Sequence, residues 1–278
     1  MDLVTIACER DIQDLLLQAH SIDKFIDKPC HHWITVEDES LTPEEWHGLL
    51  APYYTRHKLF LTFPKRPPND VRFYEPFNLG WRNQQRLKLL TGRLSDSDRV
   101  MVLDAKNFFI RATDLDAITI RHGNGRYTTE LPPMAKLWHD YLCEELKLPS
   151  PSVYPAPLAT PTIYDVSILR DMNIGDIFER EVVPAGEVLY YFFHVADFDP
   201  PSDILLGAVR YNEDPNDIVN HIRKAQNSFT HGLHRRARKE MNDFAKSLYT
   251  DWLISLGLNS MLVNDYVYYM MTDETWGK

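Results

Sequence analysis

The chain has 278 residues, of which 44% are hydrophobic and 25% charged, and a formal charge of −10. That length supports a sizeable buried core, and that composition is too apolar for a disordered chain. The acidic balance argues against a surface wholly given to nucleic acid, and no apolar run reaches the roughly 18 residues of a membrane span.

"LVTIAC" (Leu3 to Cys8) reads as a buried strand. Ile12, Leu15, Leu16 and Ala19 then recur at i, i+3, i+4 and i+7, one face of a helix that Asp11 is placed to cap. "HWITV" (His32 to Val36) is a second strand, followed by Glu37 and Asp38. "LTPEEW" opens a helix, with Thr42 as N-cap, Pro43 in the first turn and Glu45 completing a capping box. "KLFLTF" (Lys58 to Phe63) is a third strand, stopped by prolines, and Trp81 to Leu90 a helix. "RVMVLD" (Arg99 to Asp104) is a fourth strand. Strand and helix alternate as in a doubly wound parallel sheet, where ligands gather beyond the carboxyl ends of the strands. Cys8, Asp38 and Asp104 lie at or near those ends.

The second half is less regular. Met134 to Leu146 reads as a helix, and the stretch 149–162, with five prolines, as loop. Val188 to His194 reads as a strand and Pro200 to Asp203 as a turn. Ile218 to Ala225 and Ala237 to Gly257 read as helices, and "SMLVNDYVYYMM" as a helix or a strand. No linker or internal repeat divides the chain. Cys8, Cys30 and Cys143 form no CxxC pair, which fits a reducing, cytoplasmic setting, and no leader pattern opens the sequence.

Charge is uneven. Residues 56–93 hold nine Lys/Arg against Asp70 and Glu75, and residues 221–246 hold seven against Glu240 and Asp243. Such islands suit an anionic, phosphate-bearing ligand, or they are two solvated helical faces.

Four places can carry chemistry. Asp104 closes a run of four apolar residues, so its charge needs a metal, a cation or several N–H donors. Trp81, Gln84, Gln85 and Lys88 lie along one side of a helix and can read a sugar or hold a phosphate; the alternative is a polar outer face. "HGLHRRARKE" sets His234, Arg235 and Arg236 where cations can meet a diphosphate, with Gly232 allowing close backbone approach. His231 and His234 stand at metal-ligand spacing only if helical, and no third ligand is near, which disfavours zinc. Asn264 and Asp265 sit among tyrosines, whose flat faces suit sugar stacking or ordinary packing. GxGxxG after the first strand, GxxxxGK[ST], GxSxG and HExxH are all absent, which argues against a dinucleotide dehydrogenase, a P-loop enzyme, an α/β-hydrolase and a zincin.

The segments "VTIACERD", Ser21-Ile22, "GWRNQQRLKL", "VMVLDAKNFFIR", Thr160 to Thr162, "LHRRA" and "NDYVYY", in this order, resemble a family of uncharacterised, predicted glycosyltransferases from bacteria and their viruses. The resemblance spans almost the whole chain, and the Gly-Trp-x-x-Gln-Gln-x-x-Lys helix followed by a strand ending in Leu-Asp is its most specific part. It implies an α/β, GT-A-like (Rossmann-related) mostly parallel sheet flanked by helices. The whole chain, 1–278, would be one domain, with a nucleotide-sugar-binding half over 1–115 and an acceptor side over 116–278. The sequence departs from the family at two places. Lys106 stands where the family commonly has the second acid of an Asp-x-Asp motif, and Asn264-Asp265-Tyr266 replaces a Ser-Glu-Tyr pattern.

The implied activity is transfer of a sugar from a nucleotide-sugar donor to an acceptor hydroxyl on a polysaccharide, a glycolipid or a modified base in phage DNA. Ala7, Cys8, Asp11 and Asp38 would frame the nucleoside, and Gln84, Gln85 and Lys88 the sugar or diphosphate. Asp104 with Lys106, or Asp104 and Asn107 with a Mn or Mg ion, would steady the leaving group. His234, Arg235 and Arg236 would close over the phosphates, and Asp265 would contact the acceptor or act as general base. Loss of one acid and gain of one cation weakens the case for a metal and makes metal-independent transfer an open reading. The rival from another class is a degenerate transferase that still binds a nucleotide or sugar without catalysis. An unrelated hydrolase on the same fold ranks last.

Overall fold

In the computed structural model, which describes residues 1–37, 40–64, 79–144, 146–156, 158–174, 186–197, 206–207 and 214–268 (79–82 as backbone alone), the early apolar runs form the expected parallel strands. These are β1 (Asp2–Ala7), β2 (His31–Val36), β3 (Lys58–Thr62) and β4 (Arg99–Asp104). The sheet order is β3-β2-β1-β4-β8, with β8 (Thr162–Asp165) antiparallel to β4. Residue alternation sorts the side chains onto two faces. Leu3, Ile34, Val36, Met101 and Leu103 are buried on one face, against α1 (Ile12–Phe25) and α2 (Pro43–Leu50). Val4, Ile6, Val100, Val102 and Tyr164 are buried on the other, where α3 (Leu79–Gly92) and α5 (Val166–Asp171) pack. A sheet covered on both faces explains why β1 and β4 read as nearly unbroken apolar runs.

The helix starts follow local chemistry. Glu45 N donates to Thr42 Oγ1 at 3.2 Å, and Thr42 N donates back to Glu45 Oε2 at 2.8 Å, the reciprocal box expected before Pro43. Asp11 departs from expectation. Its carboxylate makes no capping bond to α1 and instead accepts the Cys8 N–H at 3.0 Å, closing a short 3-10 turn over Glu9–Asp11.

The second half corrects the sequence reading in three places. Val188 to His194 is not a strand: α6 (Glu187–Phe192) is a helix whose every residue is buried. A short apolar run carries no period that separates a buried strand from a buried helix, and here burial is on all sides. The proline-rich stretch is not all loop. β7 (Tyr154–Pro155) pairs with β6 (Tyr127–Thr128) beside α4 (Pro133–Glu144), and Thr162 begins β8. The long helix expected over Ala237 to Gly257 is two, α8 (Arg235–Glu240) and α9 (Asp243–Ser255). Met241 is extended between them, and Asn242 Oδ1 accepts the Ala245 N–H at 2.8 Å as a new N-cap. α7 (Ile218–Ala225) stands as expected, and the last described segment is a helix, α10 (Ser260–Tyr268). The turn expected at 200–203 lies outside the described residues.

One small pairing decides where these C-terminal helices go. β5 (Phe108–Phe109) follows β4 after a tight turn and pairs antiparallel with β9 (Thr230–His231). Phe109 N is also held by the buried Ser21 Oγ of α1 at 3.0 Å. This seats α8 and α10 beside the carboxyl ends of β1 and β4. His231 is therefore in a strand, not on a helix with His234. No helix among the described residues is long and apolar enough to cross a membrane.

Candidate functional site

Asp104 is the last residue of β4, level with Ile6 of β1. Its carboxylate meets two ammonium groups. Lys88 reaches Asp104 Oδ1 at 2.9 Å from α3, and Lys106, two residues on, bonds Asp104 Oδ2. Lys88 also holds Glu187 Oε1 at 3.1 Å at the start of α6, where the Glu187 N–H reaches Gln85 Oε1 at 3.4 Å. Lys88, Glu187 and Gln85 are buried, whereas Asp104 and Lys106 keep part of their surface open. Burial by itself would push the Asp104 carboxyl up; Lys106 and then Lys88 outweigh it and hold the group well below the usual carboxylate range. Burial likewise works to lower Lys88, and Asp104 and Glu187 overcome it, so its pKa lies above the ordinary lysine value.

The four charges balance, two carboxylates against two ammoniums. The alternative of a polar outer face on α3 does not hold for Lys88, which points inward with Gln85. Gln84 is half-buried, and the Trp81 side chain lies outside the described residues.

The turn after β4 is tightly built. Asn107 N donates to Asp104 O, and Asp104 N donates to Asn107 Oδ1, both at 2.9 Å. Gly232 packs on this turn: an added Cβ would meet Asn107 Nδ2 and the Lys106 carbonyl, each at 2.7 Å. The close approach expected of Gly232 is thus to the Lys106–Asn107 backbone. Tyr266, not the adjacent Asp265, reaches the same place; its hydroxyl accepts the Leu233 N–H at 2.9 Å and lies 3.4 Å from the Lys106 carbonyl oxygen. Asp265 is half-buried and makes no hydrogen bond or ion pair to Lys88, Asp104 or Lys106 among the described residues.

His234 caps α8, its Nδ1 accepting the Arg236 N–H at 3.2 Å. Partial burial, then the Lys106 ammonium, lower its pKa, with Asp104 opposing. His234 therefore stands within electrostatic reach of the Asp104–Lys106 pair and is neutral at pH 7.

Arg235 is not poised to close over a phosphate. It donates to Asp11 Oδ1 at 3.0 Å, Asp14 Oδ2 at 3.3 Å and the Arg10 carbonyl at 2.7 Å. Arg236 is exposed and pairs with Glu240 one turn on, at 3.0 Å. The buried Arg238 holds Asp14 Oδ1 at 2.8 Å and lies 4.0 Å from the Tyr266 ring centroid. Arg235 and Arg238 tie α8 to α1 and the turn before it.

At the end of β1, Ala7 is buried and its carbonyl accepts the Glu37 N–H at 2.8 Å. Burial, aided by Asp11, pushes the Cys8 thiol up to about 12, so it is no nucleophile. Asp38 lies outside the described residues.

Sequence reasoning missed Glu187, Asp14, Gln18 and Arg238. A signal for two of them was present: Asp14, Gln18 and Ser21 recur at i, i+4 and i+7 and are all buried, a polar stripe beside the apolar one on α1.

A divalent ion does not fit this donor set. Both Asp104 oxygens face ammonium groups, Oδ1 that of Lys88 and Oδ2 that of Lys106. Among the described residues no group of three His, Cys, Asp or Glu side chains is disposed to hold a metal.

No protein-family model matches the chain, and no curated protein sequence does. Among solved structures, 96% of the chain superposes on 51% of the apo structure of the bifunctional glycosyltransferase WbbM, at 12% identity and a TM-score of 0.55. The chain thus spans about half the length of that protein. An active-site mutant of LgtC (92% and 95% covered, 11% identity) scores 0.48, and the apo glycosyltransferase GlyE of Streptococcus pneumoniae TIGR4 (95% and 62%, 10%) scores 0.47. At these identities the likeness is one of fold, and it rests on WbbM: the chain has a mostly parallel α/β sheet of the GT-A glycosyltransferase kind.

Proposed function

We propose that the chain is a glycosyltransferase that moves a sugar from a nucleotide-sugar donor to an acceptor hydroxyl, and that it does so without a divalent metal. The observation that carries this reading is the Lys88–Asp104–Lys106 cluster at the carboxyl end of β4, on a fold shared with a glycosyltransferase. In transfer, the acceptor oxygen bonds to the sugar's anomeric carbon while the bond from that carbon to the diphosphate oxygen breaks. The electron pair leaves with the diphosphate. Lys106, which keeps part of its surface open, supplies positive charge where that charge develops, the task otherwise given to a metal ion, while Lys88 holds Asp104 from behind. Asp104 keeps both ammoniums in place. The acceptor's proton goes to a carboxylate on the acceptor side, for which Asp265, next to Tyr266, is the candidate. The acceptor we propose is a carbohydrate. Arg235, Arg236 and Arg238 of the second basic island are engaged with Asp11, Glu240 and Asp14, which does not favour DNA.

The test is nucleoside diphosphate release from a panel of UDP-, GDP-, CDP- and dTDP-sugars, with saccharide acceptors, in excess EDTA and with added Mn or Mg. Turnover that survives the chelator supports the reading. Turnover lost to chelator and restored by metal refutes its metal-free part. Binding of a sugar nucleotide without release or transfer indicates the non-catalytic rival.

A further inference from the structure

Gln18 is fully buried on α1. Its Nε2 donates to the Asp104 carbonyl at 2.9 Å and the Asn107 carbonyl at 2.7 Å, the two oxygens that begin and end the turn after β4. A carbonyl oxygen only accepts, so the amide nitrogen must face the turn and Oε1 must face Thr5. That orientation sets every proton in the chain behind it. Thr5 Oγ1 donates to Gln18 Oε1 at 2.9 Å and so accepts from His32 Nε2 at 2.9 Å. His32 Nδ1 is then unprotonated and accepts the Tyr54 hydroxyl at 2.6 Å. Burial keeps His32 neutral, which this arrangement requires. The chain crosses from β2 through β1 to α1, and each link leaves the next with one workable orientation.

We infer that Gln18 is a positioning residue for the donor diphosphate: it draws the Asp104 and Asn107 carbonyls toward α1, leaving the Asp104 carboxylate and the Lys106 ammonium turned to the ligand side. The inference rests on the donor-site reading above. Without the Gln18 amide, the Asn107 carbonyl loses this donor and the Asp104 carbonyl keeps only the Asn107 N–H, and the turn relaxes to find others. Gln18 touches no ligand; it acts through the backbone that carries Asp104 and Lys106.

The variants are Gln18→Leu, Gln18→Glu and, as control, Tyr54→Phe, which removes the far end of the same chain. The probes are UDP, GDP, CDP and dTDP, titrated calorimetrically in EDTA, alongside amide hydrogen exchange at Asn107. Gln18→Leu should bind whichever diphosphate the wild type prefers about tenfold more weakly, and Asn107 should exchange faster. Tyr54→Phe should lower the melting temperature yet stay within about threefold of wild-type affinity. Gln18→Glu must carry a proton to donate to either carbonyl, so its affinity should fall as pH rises from 6 to 8 relative to wild type. A merely structural role for Gln18 would not produce that profile. Wild-type affinity in Gln18→Leu, or in Gln18→Glu a profile parallel to wild type, overturns the inference. If Gln18→Leu does not fold, the Gln18→Glu profile decides. If the wild type binds none of the probes, the donor reading fails, and unchanged Asn107 exchange in Gln18→Leu or Gln18→Glu then overturns the positioning role separately.

Discussion

At the carboxyl end of the sheet, Lys88, Asp104, Lys106 and Glu187 share one largely buried cluster. At the amino end, a cleft of about 700 Å³ opens between Asp98, Arg99, Asp116, Arg121, Asp165 and Arg170. The groups around this cleft do the plainer work. Arg99 donates to the Ile118 and Ile120 carbonyls, Arg170 to the Ser95 carbonyl at 2.7 Å, and Asp165 caps α5. The Arg121–Asp165 pair is long, 3.8 Å, with Arg121 well exposed. These groups fasten loops to strands. The carboxyl end instead concentrates charge where water is scarce, and the lysines have only carboxylates to balance them. Hydrated charges at short range lose most of their mutual energy, and desolvated ones keep it. Buried charge therefore marks the carboxyl end, and the carboxyl edge is also where ligands bind in open α/β sheets.

The contrast can be broken most directly at Lys88. Lys88→Met leaves Asp104 and Glu187 with one ammonium between them and should cost about 3–5 kcal/mol in a urea unfolding titration. Adding Glu187→Gln should recover part of that loss. A wild-type midpoint for Lys88→Met would remove the buried cluster from the account.

Acid comes next. Burial lowers both His32 and His231 from 6.5 to about 3. Below pH 6.5 the unfolded chain takes protons on both rings while the folded chain does not until about pH 3. Stability is thus full above 6.5 and falls as pH drops, by about 1.4 kcal/mol per pH unit for each ring. Unfolding titrations at pH 7, 6 and 5 should show this, well before the depressed Asp104 begins to matter below about pH 4.

Gly232→Ala sharpens the steric side of the carboxyl end. Its Cβ would collide with backbone and a buried amide, and we expect a loss of about 1–3 kcal/mol by thermal melting. At the amino end, Arg121→Ala should change stability by no more than about 0.5 kcal/mol, and 1 M salt should erase the difference. A larger effect would mean that the two ends are less unlike than their burial indicates.

Legibility in the sequence follows the range of the interaction. The four parallel strands, the Thr42–Glu45 box and the strand end at Asp104 are set by neighbouring residues, and the structure has them where the sequence places them, within a residue or two. The apolar run before His194 misleads because a short hydrophobic stretch looks alike in a buried helix and a buried strand. The arginines mislead for another reason. Composition shows a cation, but only the fold shows that Asp11 and Asp14, more than 220 positions earlier, already neutralise Arg235 and Arg238.

By itself, the sequence determined that a mostly parallel α/β sheet forms and that Asp104 ends one of its strands with Lys106 close behind. Both follow from side-chain periodicity and from the cost of leaving a carboxylate bare at the end of an apolar strand. Only the tertiary structure decided how that charge is balanced. Lys88 turned inward to Asp104 and Glu187, and Gln18 came to hold the turn from behind. Those partners lie 16, 99 and 86 residues apart in sequence. Their charges and hydrogen bonds gain strength only when folding brings them together and excludes water.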